Sequence, residues 1–460
     1  MCAFRESSAT GHLQNRQVFS QLVTANAGVG RLNMTIASDQ VPAAETAEPK
    51  PTKKSQGTIL GASVIAAGTA VGAGMFSLPV ANSGVWFSVC LVLMIVVGYI
   101  MHTASLYIME ITLHFPEGSN YDSLAKGTIG NVGRVVNGLS VAFLCYVLTY
   151  AYISGGSSII TYSLSIFGDV NMSSGVASLI FAVVLLSIVM MGTRAVDRVN
   201  TVLIGGMIIT FMISLSSLIG NSSTTNLFPE ISLGDRMPYA FYTISFLVAS
   251  FGLQITVPTV TNYLGLDAKR TSKALLIAIF LAGFFYFLWM FAVFGNISRD
   301  DFPAIIAEGG NIGNIIGALS KSGISANISV ILQIFGNMAV ATSFLGVSLS
   351  LYDYISDLFK FDTSTVAGKA KTVGIAFVPT IILAILYPHG FIAAIGYAGV
   401  VLVIFSLLAP IVMVRICRER NPDMYQVPGG NARQAMVFGF GILVFIITAF
   451  ELTGNLPIFG

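Results

Sequence analysis

Long apolar runs separated by short polar connections fill the chain from residue 58 to residue 456. A helix needs roughly 17–25 predominantly apolar residues to cross the hydrocarbon core of a bilayer. Eleven runs meet that length, at about 58–80, 85–112, 135–166, 174–192, 199–219, 240–263, 273–295, 327–359, 371–388, 391–415 and 434–456. In hydrocarbon every backbone polar group must find a partner within the protein, and continuous runs achieve this as helices. The pattern predicts an all-α integral membrane protein with eleven transmembrane helices.

Two of these runs are interrupted near their middle. Residues 68–74 of the first read Gly-Thr-Ala-Val-Gly-Ala-Gly, and the three glycines weaken a helix where unpaired backbone groups are most costly. Five spans further on, residues 249–258 read Ala-Ser-Phe-Gly-Leu-Gln-Ile-Thr-Val-Pro. Pro258 removes a helix donor, and Gly252 loosens the backbone ahead of it. A helix broken at mid-membrane leaves N–H groups, carbonyls and dipole ends facing a cavity, where they can hold a carboxylate or a cation. Either break alone is also explained by close packing of small residues. Two breaks in register, one followed by proline, favour the binding site of an inverted-repeat transporter. The repeats then run over 58–219 and 240–415, with the eleventh helix, 434–456, appended. Gly68, Thr69, Gly72, Gly74, Ser250, Phe251, Gly252 and Gln254 are the candidate binding residues at the breaks.

Composition agrees with this reading. The chain has 460 residues, 55% hydrophobic and 10% charged, with mean hydropathy +0.81, against roughly 25% charged residues in soluble domains. Its partner is the lipid bilayer; the net charge of +2 sits in loops and forms no nucleic-acid-binding face. With the N-terminus in the cytoplasm, alternate loops put 20 of the 23 lysines and arginines inside and leave Arg236, Arg299 and Lys321 outside. The positive-inside rule selects that orientation, and an odd number of spans puts Gly460 on the far side. Residues 1–57 are polar, lack a secretory apolar core and read as a disordered cytoplasmic tail, with Met34 as the candidate natural start. Cys2, Cys90, Cys145 and Cys417 have no metal-binding spacing and read as free thiols.

Ionisable groups inside spans are expensive and therefore functional candidates. They are His102, Glu110, Asp353 and Glu451. Glu110 and Asp353 lie near the cytoplasmic ends of their helices. An ion pair or interfacial exposure competes with proton carriage for the first, and Asp353 is a gate candidate. His102 is nearer the midplane, where ordinary hydrogen-bonded packing competes with ion coupling; Glu451 reads as interfacial. On the third span Tyr146, Thr149 and Tyr150 share one helix face and offer apolar walls with polar tips to an aromatic ligand, or a structural face. On the eighth, Asn337, Thr342 and Ser343 carry oxygens. Thr342 and Ser343 in particular are candidate sodium ligands together with carbonyls freed at the first break, unless their hydroxyls merely bond back to their own helix.

Four stretches carry a resemblance. They are Ala-Gly-Thr-Ala-Val-Gly-Ala-Gly-Met-Phe-Ser-Leu-Pro (67–79), Val-Asn-Gly-Leu-Ser-Val-Ala-Phe with Leu-Thr-Tyr-Ala-Tyr-Ile-Ser (within 136–154), Ala-Thr-Ser-Phe-Leu-Gly-Val (341–347) and Ala-Ile-Gly-Tyr-Ala-Gly (394–399). From about Gly57 onward the chain resembles the bacterial hydroxy/aromatic amino acid permeases, and His102 and Tyr150 resemble the tryptophan permeases more than the tyrosine permeases. The resemblance implies a leucine-transporter-type fold of five plus five inverted helices and one extra. It also implies import of an aromatic amino acid across the bacterial inner membrane, usually with protons. By position, backbone around Gly72 and Gly74 would hold the substrate carboxylate, and Ser250 to Gln254 would meet the amino group and side chain. Two departures stand out. Family members tend to carry an aromatic-His-Gly sequence where this chain has Leu253-Gln254-Ile255, and a lysine in the fifth span where it has Met207.

The function expected is ion-coupled import of tryptophan, or else tyrosine, by alternating access around the two breaks. The alternatives are a passive channel or facilitator, and a sodium-coupled importer of another neutral amino acid. A channel reading lacks a carbonyl-filter motif or charged ring. An enzyme reading lacks an HExxH or paired-acid motif, and an ATP-driven pump lacks a GxxxxGK[ST] loop. No cofactor is expected.

Overall fold

The computed structural model describes residues 57–167 and 172–459; the expected tail and the Met34 start fall outside this range, except for Gly57. The described residues are helical, without strands. In chain order the principal helices are α1 (Ile59–Ala70), α2 (Ser77–Asn82), α3 (Trp86–Leu113), α4 (Tyr121–Phe167), α5 (Ser174–Met190), α6 (Thr193–Gly220), α7 (Ala240–Ser250) and α8 (Val257–Tyr263). There follow α9 (Ala268–Asn296), α10 (Phe302–Ala307), α11 (Ile312–Lys321), α12 (Ala326–Phe359), α13 (Val366–Leu386), α14 (Phe391–Val403), α15 (Ala409–Arg420) and α16 (Gly430–Leu452). Polar side chains start several of them: the oxygens of Thr58, Asp267, Ser325 and Thr365 each accept an N–H from the first turn of the helix that follows.

Among the described residues nine helical segments are long and apolar enough to cross a membrane, and the bent pair formed by α1 with the segment Ala73–Asn82 makes a tenth. Helix α5, where the fourth span is expected, is a shorter apolar helix of 17 residues. The breaks lie where glycine and proline predict them. Helix α1 stops at Ala70, Val71 and Gly72 are extended, a 3-10 turn covers Ala73–Phe76, and the two halves are bent by 50°. Helix α7 stops at Ser250, a 3-10 turn covers Gln254–Thr256, and Pro258 lies in the first turn of α8, where its missing N–H has no partner to lose.

The two broken helices differ in burial: Leu60 and Val64 of α1 are exposed, whereas most of α7 is buried. Helix α1 packs on α9, and α7 packs on α3 and α14. The most apolar window of the segment containing α7 and α8 is 61% buried, against 22% for α6, which rests on α12 and presents Val202, Ile208 and Ile209 outward.

Three boundaries differ from the sequence reading. Helix α4 begins at Tyr121 rather than near residue 135, because Lys126, Asn131 and Arg134 lie on a polar first segment that hydropathy does not register. Gly130, at φ +74°, kinks it away from the apolar remainder. Helix α13 likewise starts at Val366, behind a Thr365 cap, ahead of the predicted 371. The tenth apolar run continues to Arg420 through a π-turn, Ile404–Leu408. Pro410, lacking an N–H, follows that turn, and the Tyr121 hydroxyl donates to the Phe405 carbonyl within it.

Candidate functional site

At the first break the backbone is open on one side. A Cβ built on Gly68 or Gly74 would meet nothing within 4 Å, whereas one on Gly72 would stand 2.9 Å from Ser343 Oγ. The Ser343 hydroxyl accepts the Ala73 N–H at 3.1 Å, so α12 supplies a partner to a backbone group that the broken helix has released. Tyr152, buried on α4, lies against the same hydroxyl. Thr342, one residue earlier, donates its hydroxyl proton to Ala339 of its own helix, which leaves its lone pairs free. Gly68 and Thr69 are exposed at the end of α1 that leads into the break.

The second break meets the first through a residue that the sequence reading did not select. The Tyr286 hydroxyl, on α9, stands 2.7 Å from the Ala70 carbonyl oxygen and 2.6 Å from that of Ser250. Each of these carbonyls belongs to the last residue of a half-helix, so neither has a complete intrahelical partner set. Tyr286 is fully buried, and the ring of Phe251 packs edge-on against it at 5.3 Å. Gly252 leaves room for Leu402, which a Cβ there would approach to 3.2 Å.

Gln254 turns to α3 instead. Its side-chain amide donates to the Met101 carbonyl at 3.1 Å and to Ser105 Oγ at 3.3 Å, on either side of His102 in sequence. His102 itself has a buried Nδ1 without a hydrogen-bond partner among the described residues.

The remaining candidates are dispersed. Tyr146 donates to the Ile375 carbonyl at 2.8 Å and Tyr150 to the Tyr387 carbonyl at 2.8 Å, so both phenols reach α13 and the turn after it. Thr149 is buried between them in sequence, with an unpartnered hydroxyl. Glu110 is fully buried and holds Arg418, at 2.5 and 2.8 Å, and the Val427 N–H, at 2.7 Å. Asp353 is exposed on α12 and forms no ion pair among the described residues. The structure therefore gathers Gly72, Ser343 and Ser250 around Tyr286 and Tyr152. It ties Gln254 to the helix of His102, leaves Tyr146, Tyr150 and Glu110 with other partners, and leaves Asp353 exposed on α12.

The two half-helices meet at a buried hydroxyl, and the sequence comparison shows the family. Residues 54–448 match the tryptophan/tyrosine permease family. The chain belongs to that family. It is 40% identical over 400 residues to the tryptophan-specific transport protein of Pseudomonas aeruginosa (strain UCBPP-PA14), covering 86% of this chain and 95% of that protein. It is 33% identical over 401 residues to the low affinity tryptophan permease of Escherichia coli (strain K12), covering 86% and 96%. To the tyrosine permease of Enterobacter agglomerans it is 32% identical over 413 residues, covering 88% and 99%. The tryptophan/tyrosine permeases are transport proteins, not enzymes, and the many apolar helices of this one make it a multi-pass membrane protein. Within this permease, Tyr286 escaped sequence reasoning because Phe284-Phe285-Tyr286-Phe287 reads as apolar filling; the one signal was a lone hydroxyl in an aromatic run.

Proposed function

We propose that this permease is a secondary active importer of an aromatic amino acid, tryptophan ahead of tyrosine, across a bacterial inner membrane. The observation that carries the reading is the meeting of the two breaks at Tyr286, supported by the higher identity to a tryptophan-specific transporter than to a tyrosine permease. Alternating access turns on eleven spans, α5 being the fourth, in a leucine-transporter-type arrangement: repeats over 58–219 and 240–415 and an appended helix over 434–456. The N-terminus faces the cytoplasm and the C-terminus the periplasm, a reading that the distribution of basic residues supports.

In this reading the substrate carboxylate is held at the N-terminal end of the Ala73–Asn82 half-helix, beside Gly72 and Gly74, where backbone dipoles favour an anion. The ammonium group goes to the carbonyls of Ala70 and Ser250. The open space beside Gly68 and Gly74 admits the ligand, and Thr69, Phe251, Gly252, Thr149 and Gln254 form the surroundings that select the side chain. Import is coupled to a proton through His102, whose helix is bonded to the second break through Gln254. A sodium reading has its own observation: the Ser343 oxygen against the first break, next to Thr342 with free lone pairs.

Purified protein in liposomes tests the function. Labelled tryptophan is exchanged against excess internal tryptophan, tyrosine, phenylalanine or leucine. Counterflow restricted to the aromatic amino acids is expected; absence of counterflow with all four overturns the carrier reading, and leucine exchanging as well as tryptophan overturns the substrate class.

A further inference from the structure

The Tyr286 hydroxyl has one proton and two acceptors. It stands 2.7 Å from the Ala70 oxygen and 2.6 Å from the Ser250 oxygen. Both carbonyls terminate half-helices, so both are in need of a donor. The hydroxyl can satisfy one fully, or share its proton between them, but it cannot supply two hydrogen bonds. An ammonium group brings three donors and can take over both acceptors. Tyr286 is completely buried, sits on a 29-residue helix, α9, that is itself unbroken, and its ring is pinned by Phe251 from the second break.

We propose that Tyr286 is a positioning residue that latches the two broken helices to each other in the substrate-free protein, its hydroxyl keeping the place that a ligand ammonium takes over on binding. The inference rests on the transport reading above and deepens it. A carrier that completes net uptake must return empty, whereas exchange of labelled for unlabelled solute moves only loaded protein. The latch acts on the empty form alone, because in the loaded form the ammonium bridges the carbonyls. Without the hydroxyl, the empty protein has two half-helix ends with no shared donor, and its return step slows.

The test compares Tyr286→Phe with the native protein in liposomes, measuring gradient-driven net uptake and counterflow of tryptophan at equal reconstituted protein. Net uptake is expected to fall at least fivefold further than counterflow, with the KM for counterflow unchanged or lowered, because the hydroxyl no longer competes with the ammonium group. Net uptake and counterflow falling in parallel, or a KM rise that accounts for both, makes Tyr286 a substrate contact or a scaffold and overturns the latch. Neither rate changing overturns it as well. Where Tyr286→Phe does not reach the membrane, Tyr286→Met, also without a hydroxyl but flexible enough to fill the ring's place, carries the same expectation and the same refutation. Absence of counterflow in the native protein is a failure of the transport reading and is told apart by that control.

Discussion

Glu110 and Arg418 face each other fork to fork, carboxylate against guanidinium, at 2.5 and 2.8 Å, joining helices α3 and α15 across most of the sequence. The Val427 N–H adds a third donor to the same carboxylate at 2.7 Å, and Arg418 also reaches the Val427 carbonyl at 3.3 Å. Glu110 is wholly buried, so its charge is compensated by these partners and not by water. These contacts give Glu110 a structural role, holding α3 to α15 and to the turn at Val427.

Glu110→Gln is accordingly expected to act on stability. Removing one member of a buried pair leaves the other uncompensated, at a cost of about 3–5 kcal/mol. Thermal unfolding in detergent should show a clear loss for Glu110→Gln and a smaller one for Glu110→Leu combined with Arg418→Leu. A stable Glu110→Gln protein with altered dependence on the driving gradient would return this carboxylate to the coupling machinery.

Gly74→Val separates folding from function. A Cβ at Gly74 meets nothing within 4 Å, so the protein should insert and purify as the native one does, while the branched side chain occupies the space in front of the first break. Tryptophan uptake is expected to fall at least tenfold, on the order of 1.4 kcal/mol or more in binding or rate. Gly313→Val is the contrast, because there a Cβ would run into the Ser158 carbonyl, and the amount of folded protein should drop. Uptake surviving Gly74→Val unchanged would remove the first break from the substrate path.

Tyr150 is expected to act as a tether. Its hydroxyl donates to the Tyr387 carbonyl, and the same oxygen lies against Gly390, at the start of α14. Tyr150→Phe should cost about 1 kcal/mol of stability, the usual net value of a hydrogen bond, and lower uptake of tryptophan, tyrosine and phenylalanine by similar factors. A Tyr150→Ala protein that loses tryptophan selectively while retaining smaller amino acids would show that the ring is a wall of the pocket.

What the sequence made legible was local. Gly72, Gly74 and Pro258 act on their own backbone, so both breaks could be found from composition and spacing alone. Ser343, a candidate for its oxygen beside the first break, does lie there, accepting the Ala73 N–H. Tyr286 and Arg418 were not found, because their roles depend on partners far away in the chain: Ala70 is 216 residues from Tyr286, and Glu110 is 308 from Arg418. The early start of α4 was hidden for a different reason. Lys126 and Arg134 are exposed on a helix that hydropathy treats as a loop, and Arg134 is bound to Asp122 at 2.9 Å on its surface. Tyr146 and Tyr150 share a face as their spacing predicted, but spacing does not say which neighbour that face meets.

The proposed proton coupling can be tested at the groups around each break. Gln254 donates to the Met101 carbonyl and to Ser105, which ties the second break to the turn of α3 that carries His102. His102 has a buried Nδ1 with no hydrogen-bond partner among the described residues, which makes it the group on that turn to test. Sodium would instead use the oxygens of Thr342 and Ser343, but Ser343 already accepts the Ala73 N–H, which occupies one of its lone pairs. The expected outcome in liposomes is accumulation of tryptophan under an inward proton gradient at fixed sodium, and none under an inward sodium gradient at fixed pH. His102→Asn should then lose the response to the proton gradient by an order of magnitude while keeping more of its counterflow, since exchange needs no net proton movement. Accumulation driven by sodium alone, abolished by Ser343→Ala and indifferent to His102→Asn, would assign the coupling to the first break and its neighbour on α12.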